Sequence, residues 1–309
     1  MTGTLGNKQG FGMTSPAIGK LNASASVDNA MEMIAEDGAV VLSGLLNDAD
    51  YRTLRAELDP EFAQADFCKG LFYGESTKRI HSLTRKSQAV RTMIMLPKVV
   101  EIMQRLLGPN CDRIQLNLTQ GIQIWPGEKA QVVHRDDSMF PVKHKPFEFM
   151  VNAMWAYSPF TRDNGATIVV PSSHKWDPDR MPTEQEITQA EMEPGEVLIY
   201  LGSLIHAGGQ NRSELPRTGI TLSYCLGWLR QSENQYFSAP PEIARHFGSE
   251  LQQMLGYSVQ RPNLGMYEGV EPNILFGEQR EKIITRDWLT PDQDEQLKRY
   301  HAGESLLTA

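Results

Sequence analysis

A block of predicted β-strands in the middle of the chain most constrains how this protein folds. From Arg113 onward, apolar residues alternate with polar ones over residues 114–124, and further apolar runs follow. Period-two spacing is typical of β-strands, because successive side chains of a strand point to opposite faces. The further predicted strands are 149–157, 166–170, 196–200 and 219–226. Because the sequence has no internal repeat or low-complexity linker, we predict one β-core at residues 111–230 rather than two domains.

Helical patterns flank this β-core on both sides. The predicted N-terminal helices begin at Val27, Asn47 and Pro97, and the first ends at Gly38. A C-terminal helix is predicted from the spacing of Ile243, Phe247, Leu251 and Leu255. We therefore expect a mainly β protein with a helical segment at 27–110 and a helical extension at 231–309, all within one domain.

Composition and charge exclude several classes of partner. The net charge of −8 and the pI near 5.5 argue against nucleic acid and anionic membranes as partners. No apolar run approaches the ~18 residues of a membrane-spanning helix, so we predict no membrane insertion. Residues 1–26 lack the order of a signal peptide and are predicted to be a flexible leader. Three cysteines without metal-type spacing fit a reducing compartment, so a cytoplasmic location is predicted.

A His-x-Asp pair and one distant histidine are the candidate metal ligands. The pair is His134 and Asp136, and the distant residue is His206, which we place at the end of a short strand. Two imidazoles and one carboxylate on one face of the metal are typical of non-haem iron(II) sites with open positions. Residues i and i+2 of an extended segment point the same way, which favours Asp136 over Asp137 as the carboxylate ligand. A His-x-Asp pair on its own is weak evidence for a metal site. The interpretation as a metal site becomes more specific when the pair occurs in a fixed order with other motifs.

Five sequence motifs occur in one order along the chain and resemble those of the phytanoyl-CoA dioxygenase family. They are Gln131-Val-Val-His134-Arg-Asp136, Asp163-Asn-Gly-Ala-Thr-Ile-Val-Val-Pro-Ser-Ser-His174-Lys-Trp176, Pro194-Gly-Glu-Val-Leu198, His206-Ala-Gly-Gly-Gln-Asn-Arg212 and Arg217. The resemblance covers about residues 28–240 and is strongest to the branch that tailors fungal meroterpenoids and indole alkaloids. It implies a double-stranded β-helix, or jelly roll, and a need for iron(II), 2-oxoglutarate and O₂.

The resemblance also implies roles for individual residues. The His-x-Asp pair and His206 match the iron ligands, and Arg217 matches the residue that pairs with the distal carboxylate of 2-oxoglutarate. Gln131 and Thr167 match positions that hydrogen-bond this co-substrate. The planar donors of arginine suit a carboxylate, which agrees with the role implied for Arg217. The implied reaction is oxidation of an unactivated C–H bond, by hydroxylation, desaturation or a related radical step.

Aromatic and apolar residues in the flanking loops suggest a hydrophobic small-molecule substrate. The predicted pocket residues are Phe72, Tyr73, Met139, Phe149 and Trp228. A natural product is the preferred substrate, while Lys143, Lys145 and Arg230 leave an acyl-CoA or another lipid open. His81 is either structural or part of the pocket. Two other classes also remain open, a metal-dependent cupin isomerase and a non-catalytic ligand-binding jelly roll. A homodimer is a further expectation, because relatives in this family often pair.

Overall fold

Two β-sheets form the centre of the fold, in a computed structural model that describes residues 18–142, 146–277 and 283–304. The strands are β1 (Lys20–Asn22), β2 (Ala39–Ser43), β3 (Thr77–His81), β4 (Ile114–Ile124), β5 (Met150–Ala156), β6 (Thr167–Val169), β7 (Thr188–Ala190), β8 (Val197–Leu201), β9 (His206–Ala207) and β10 (Arg217–Leu226). The helices are α1 (Val27–Asp37), α2 (Asp48–Gln64), α3 (Leu83–Lys86), α4 (Gln88–Ile94), α5 (Pro97–Leu107), α6 (Gln235–Ser238), α7 (Pro241–Ala244), α8 (Ser249–Met254) and α9 (Pro291–His301).

The strand order is that of a jelly roll with one large and one small sheet. The large sheet has the order β1-β2-β8-β5-β10-β4-β3, and the small sheet has the order β7-β6-β9. Strands β6, β7 and β9 lie in the small sheet while β5, β8 and β10 lie in the large one, so the chain crosses repeatedly between the two sheets after β5. The predicted jelly roll is confirmed, and its crossing pattern brings residues from distant parts of the sequence to one place.

Helices from the N-terminal segment pack against the large sheet. Helix α5 contacts β4, β5 and β10, while α1 contacts β2 and β8. The apolar face of α5 is fully buried at Val99, Ile102 and Met103. Burial of each such side chain contributes roughly 1.5–3 kcal/mol. The helices predicted to begin at Val27, Asn47 and Pro97 are confirmed, and one hydrophobic core joins them to the strands.

A β-bulge in β4 changes which side chains face inward. The pairing of β4 with β10 aligns Ser223 with Leu118 and Tyr224 with Leu116, so the register skips Asn117. A bulge of one residue moves the side chain of every later residue of the strand to the opposite face of the sheet. Leu116 is therefore part of the core, whereas Leu118 and alternate residues after it face a cavity between the sheets. Simple alternation does not predict this reversal.

Two of the predicted boundaries differ from the structure. Part of the predicted flexible leader is a strand, because Lys20–Asn22 pairs in parallel with β2; residues 1–17 lie outside the described residues. The predicted single C-terminal helix is two short helices, α7 and α8, with an extended Gly248 between them. Within the described ranges, no helix combines the length and the apolar character needed to cross a bilayer.

Candidate metal centre and its cavity

His134 and His206 lie side by side at one end of the cavity. Each backbone N–H donates to the carbonyl oxygen of the other residue, at 2.9 Å in both directions. The two imidazole centroids are 4.6 Å apart. His206 opens strand β9, whereas the sequence had suggested that it ends a strand. Pairing of the two backbones thus brings together two histidines that are distant in the sequence.

Hydrogen bonds to the backbone orient both imidazoles in the same way. Nδ1 of His134 lies 2.9 Å from the carbonyl oxygen of Val132, and Nδ1 of His206 lies 2.9 Å from that of Leu204. A carbonyl oxygen can only accept, so each Nδ1 carries a proton and donates it. Each Nε2 is then the nitrogen with a lone pair available for a metal ion. This tautomer is the one that metal ligation through Nε2 requires.

Asp136 completes the group between the two imidazoles. Its Oδ1 lies 3.5 Å from Nε2 of His134, and its Oδ2 lies 3.4 Å from Nε2 of His206. Asp136 opens a 3-10 helix, Asp136–Met139, rather than continuing a strand. The preceding Arg135 is extended, and its side chain turns away to donate to the carbonyl of Ser173 at 2.8 Å. Asp137 is buried and does not line the cavity among the described residues.

The charges of this group suit a divalent cation. Burial alone raises the pKa of Asp136, but the charge of His206 and hydrogen bonds from both imidazoles hold that pKa far below its usual range. Burial lowers the pKa of His206, but the Asp136 carboxylate outweighs this effect and raises it. A bound metal ion would take the place of these contacts between the imidazoles and the carboxylate, with both Nε2 atoms deprotonated. The ligand atoms of the three residues all lie within 4.8 Å of one another, which fits one ion with open positions.

Asn152 on β5 orients the carboxylate of Asp136. Its Nδ2 donates to Oδ2 of Asp136 at 2.9 Å. Partners that orient a metal ligand are typically worth about 10–100-fold in metal affinity. We therefore expect Asn152→Ala to weaken iron(II) binding by about 10–100-fold, as measured by anaerobic equilibrium dialysis. Asn273→Ala, which changes an exposed amide outside the cavity, is the control. Unchanged affinity in Asn152→Ala would show that this hydrogen bond does not support the site.

A buried arginine lies in the same cavity. Arg217 opens β10, and only 1% of its surface is exposed. Its Nε donates to the carbonyl oxygen of Gly165 at 2.9 Å, and its guanidinium lies 4.3 Å from the ring centroid of Phe160. Burial and the nearby Arg79 lower the pKa of Arg217 to about 9. No carboxylate pairs with it in the described part of the chain, so an anionic ligand would relieve an uncompensated buried charge.

Two hydroxyl groups share the cavity with this arginine. The Thr167 side chain, on β6, lines the cavity, and its buried Oγ1 has no hydrogen-bond partner among the described residues. Tyr200, on β8, also lines the cavity, and its ring lies 4.7 Å from that of His206. Burial, together with the charge of Asp136, raises the pKa of Tyr200 well above its ordinary value, so its hydroxyl is a donor. An anion at Arg217 would find both hydroxyls within the same cavity.

Gln131 hydrogen-bonds both to the segment that follows β9 and to the loop that contains Phe72. Its Oε1 accepts from the backbone N–H of Gly208 at 2.9 Å, and its Nε2 donates to the carbonyl oxygen of Phe72 at 2.9 Å. The second N–H of this amide is available to a ligand, because each amide nitrogen carries two hydrogens. Gln131 lines the cavity, which is compatible with the role that the sequence suggested for it.

The cavity has a volume of about 940 Å³ and lies between the two sheets. Of the predicted pocket residues, Phe72, Tyr73 and Met139 line it. The prediction is wrong for Phe149 and Trp228, whose rings pack on each other at 5.8 Å outside this cavity. Phe149 is part of the core, and Nε1 of Trp228 donates to the carbonyl oxygen of Asn110 at 2.9 Å. Aromatic content alone could not distinguish core packing from cavity lining.

Sequence reasoning missed several polar residues of the cavity. Arg79, Asn152, Tyr200 and Gln120 line it. His81, for which the sequence left a structural role and a place in the pocket open, also lines the cavity. Asn152 and Tyr200 occupy paired positions of neighbouring strands. The sequence did contain a signal for Asn152 and Tyr200, because each is a polar residue within an otherwise apolar strand. Arg79 had no such signal, because β3 is short and rich in polar residues.

The fold and site together define a jelly-roll protein with a candidate metal centre of two histidines and one carboxylate, in a cavity that a buried arginine also lines. The family model "Phytanoyl-CoA dioxygenase (PhyH)" matches residues 34–219. The chain therefore belongs to the phytanoyl-CoA dioxygenase family and is an oxidoreductase of the dioxygenase class. It is 31% identical over 266 residues to dioxygenase olcK of Penicillium canescens, covering 81% of this chain and 87% of that protein. It is 33% identical over 254 residues to dioxygenase aneA of Aspergillus aculeatus, covering 76% and 84%.

Solved structures support the same fold. The α-ketoglutarate-dependent carbocyclase SnoK from nogalamycin biosynthesis superposes with a TM-score of 0.57 at 16% identity, covering 70% of this chain and 90% of that one. HygX from Streptomyces hygroscopicus, solved with nickel, 2-oxoglutarate and hygromycin B, gives a TM-score of 0.54 at 14% identity. It covers 66% of this chain and 89% of HygX. At these identities the likeness concerns the fold.

Proposed function

We propose that this protein is an iron(II)- and 2-oxoglutarate-dependent dioxygenase that oxidises a C–H bond of a small molecule. The observation that carries the proposal is the pairing of two features in one cavity. His134, Asp136 and His206 present three possible metal-ligand atoms at one place, and Arg217 is a buried cation with no carboxylate partner among the residues that the structure describes. A divalent metal with open positions and a dicarboxylate co-substrate would satisfy both features at once.

The residues of the chain have distinct roles in this proposal. The three ligands would hold iron(II), which supplies O₂ activation and the oxidation of the C–H bond when it is bound. Arg217 would bind the distal carboxylate of 2-oxoglutarate, with Thr167 and Tyr200 donating hydrogen bonds. Gln131 would use its free N–H toward the same co-substrate. The chain contributes mainly by fixing the reactants in position and by excluding water.

Arg79 is a second cation suited to the co-substrate. Burial lowers its pKa, while the negative charge of Asp136 acts in the opposite direction. Its Nη1 donates to Oε1 of Gln120 at 2.6 Å, and its buried Nε has no partner in the described chain. Arg79 would donate to one carboxylate of 2-oxoglutarate and Arg217 to the other.

The substrate in this proposal is a natural product with a largely apolar body. Leu71, Phe72, Met139 and Phe237 are exposed apolar residues that line the cavity. SnoK belongs to nogalamycin biosynthesis, and HygX was solved with hygromycin B, so proteins of this fold accept large natural products. Hydroxylation, desaturation or another radical oxidation all begin with the same removal of hydrogen. We also propose that the protein is located in the cytoplasm and that it forms a homodimer.

An acyl-CoA or other lipid substrate is the alternative within the family. Of the basic residues that suggested it, Arg230 lies in a separate groove. Lys143 and Lys145 lie outside the described residues. For a cupin isomerase or a non-catalytic binding protein, the buried Arg217 would have no evident use, because neither needs a dicarboxylate.

Product analysis tests the proposed reaction. The protein is incubated with iron(II), 2-oxoglutarate and air, together with terpenoid, alkaloid or acyl-CoA candidates, and succinate and substrate mass are followed by mass spectrometry. We expect succinate release coupled to the gain of one oxygen atom or the loss of two hydrogens by the substrate. Substrate conversion without O₂ or without succinate would contradict the proposal and favour an isomerase.

A further inference from the structure

One wall of the cavity carries a chain of hydrogen bonds that runs from Arg79 through Gln120 to His81. We infer that the substrate carries a carbonyl-type oxygen, which accepts a hydrogen bond from Nδ1–H of His81. This inference rests on the proposed function, and it names a chemical group that the substrate must have. His81 is the last residue of β3, and its exposed surface lies in the cavity.

The tautomer of His81 follows from its neighbours. Nη1 of Arg79 donates to Oε1 of Gln120 at 2.6 Å, which fixes the orientation of the Gln120 amide. Nε2 of Gln120 then points at Nε2 of His81, at 3.3 Å. An amide nitrogen can only donate, so Nε2 of His81 must accept and cannot carry a proton. The proton of the neutral ring is therefore on Nδ1.

His81 is neutral when it presents this donor. Burial lowers its pKa, an effect that outweighs the opposing charge of Glu233. Nδ1 has no hydrogen-bond partner in the described part of the chain, and it is the remaining polar atom of a ring that faces the cavity. A neutral N–H donor suits an uncharged acceptor such as a ketone, ester, lactone or amide carbonyl.

The carboxylate on this wall is already saturated with donors. Glu233 accepts from the backbone N–H groups of Ser82 and Thr119, from both of their hydroxyls, and from Gln235. Five donors exceed the roughly four lone-pair positions of a carboxylate, so Glu233 has no position left for an ammonium group. This arrangement favours a substrate carbonyl at His81 over a substrate ammonium group at Glu233.

This inference changes the expected character of the substrate. A uniformly hydrophobic molecule would leave Nδ1–H of His81 without a partner once water is excluded, which is unfavourable. A molecule with an apolar body against Phe72, Met139 and Phe237 and a carbonyl toward His81 would satisfy both parts of the lining. His81 would then select substrates and fix which C–H bond faces the metal ligands.

Two measurements test the inference. Long-range ¹H–¹⁵N NMR of the metal-free protein should show His81 as the Nδ1–H tautomer, and Gln120→Leu should convert it to a mixture. Anaerobic equilibrium dialysis of the iron- and 2-oxoglutarate-loaded protein then compares 9-fluorenone, fluorene and 9-aminofluorene, which share one tricyclic body. One neutral hydrogen bond is worth about 0.5–1.5 kcal/mol, so the wild type should bind fluorenone about 2–12-fold more tightly than fluorene.

Variants separate this inference from the proposed function. His81→Phe should remove the preference for fluorenone, His81→Gln should retain part of it, and His246→Phe, outside this cavity, should leave it unchanged. An Nε2–H tautomer, equal affinity for ketone and hydrocarbon in the wild type, or an unchanged preference in His81→Phe would overturn the inference. Iron and 2-oxoglutarate binding by the same samples reports on the proposed function, because His81 is not among the metal ligands.

Discussion

Replacement of Asp136 with alanine is expected to abolish iron(II) binding and, with it, 2-oxoglutarate turnover. The carboxylate lies between the two imidazole Nε2 atoms and is the only acidic member of the ligand group found in the described residues. Mutation of a residue that only orients a metal ligand typically lowers metal affinity by about 10–100-fold. We therefore expect removal of the ligand itself to lower iron(II) affinity by more than about 100-fold. Anaerobic equilibrium dialysis followed by iron analysis measures the affinity directly.

Two variants act as controls for Asp136→Ala. Asp136→Asn keeps the shape of the side chain and removes its charge, so it should also lose most iron binding. Asp163→Ala removes an exposed carboxylate that does not line the cavity, and it should bind iron as the wild type does. Circular dichroism establishes that all the variants are folded. Near-normal iron affinity in folded Asp136→Ala would assign the carboxylate ligand to another residue.

Replacement of Arg217 with alanine should weaken 2-oxoglutarate binding strongly while iron stays bound. The arginine is buried and has no carboxylate partner within the described chain, so a bound dicarboxylate would be its counter-ion. Truncating one partner of a buried charge pair typically costs about 2–5 kcal/mol, or roughly 30–3,000-fold in affinity. Anaerobic titration with 2-oxoglutarate measures the loss, and iron analysis of the same sample shows that the metal site is intact.

Charge and geometry can be separated at this position. Arg217→Lys keeps the positive charge but loses the planar fork of donors, so we expect an intermediate affinity. Arg212→Ala removes an exposed arginine of the same segment and should have no effect. If folded Arg217→Ala bound 2-oxoglutarate as tightly as the wild type, the arginine would have no role in co-substrate binding.

Much of the fold was predictable because its elements have local signals. Strands such as β5 and β8 are apolar runs bounded by turn residues, and α5 begins with Pro97 and ends before Gly108. The β-bulge at Asn117 had no comparable signal, since it depends on how β4 pairs with β10. It decides that Gln120 faces the cavity, so local alternation could not identify that wall.

The candidate metal ligands could be picked out from the sequence because the motif is short and its chemistry is specific. His134 and Asp136 are two positions apart, and the order of the surrounding motifs pointed to His206. The pocket was harder to predict, because Phe149 and Phe72 look alike in sequence while only Phe72 lines the cavity. The contacts among Arg79, Gln120 and His81 depend on the pairing of β3 with β4, which no single segment reveals.

The most direct test of the central claim is an anaerobic titration of the iron(II)-loaded protein with 2-oxoglutarate, followed by visible absorption. Iron(II) chelated by a keto acid gives a weak charge-transfer band, so a band should grow and saturate at one 2-oxoglutarate per chain. It should be absent in Asp136→Ala and in His134→Ala. Persistence of the full band in both variants, or its absence from iron-loaded wild type, would contradict a site built from these three ligands.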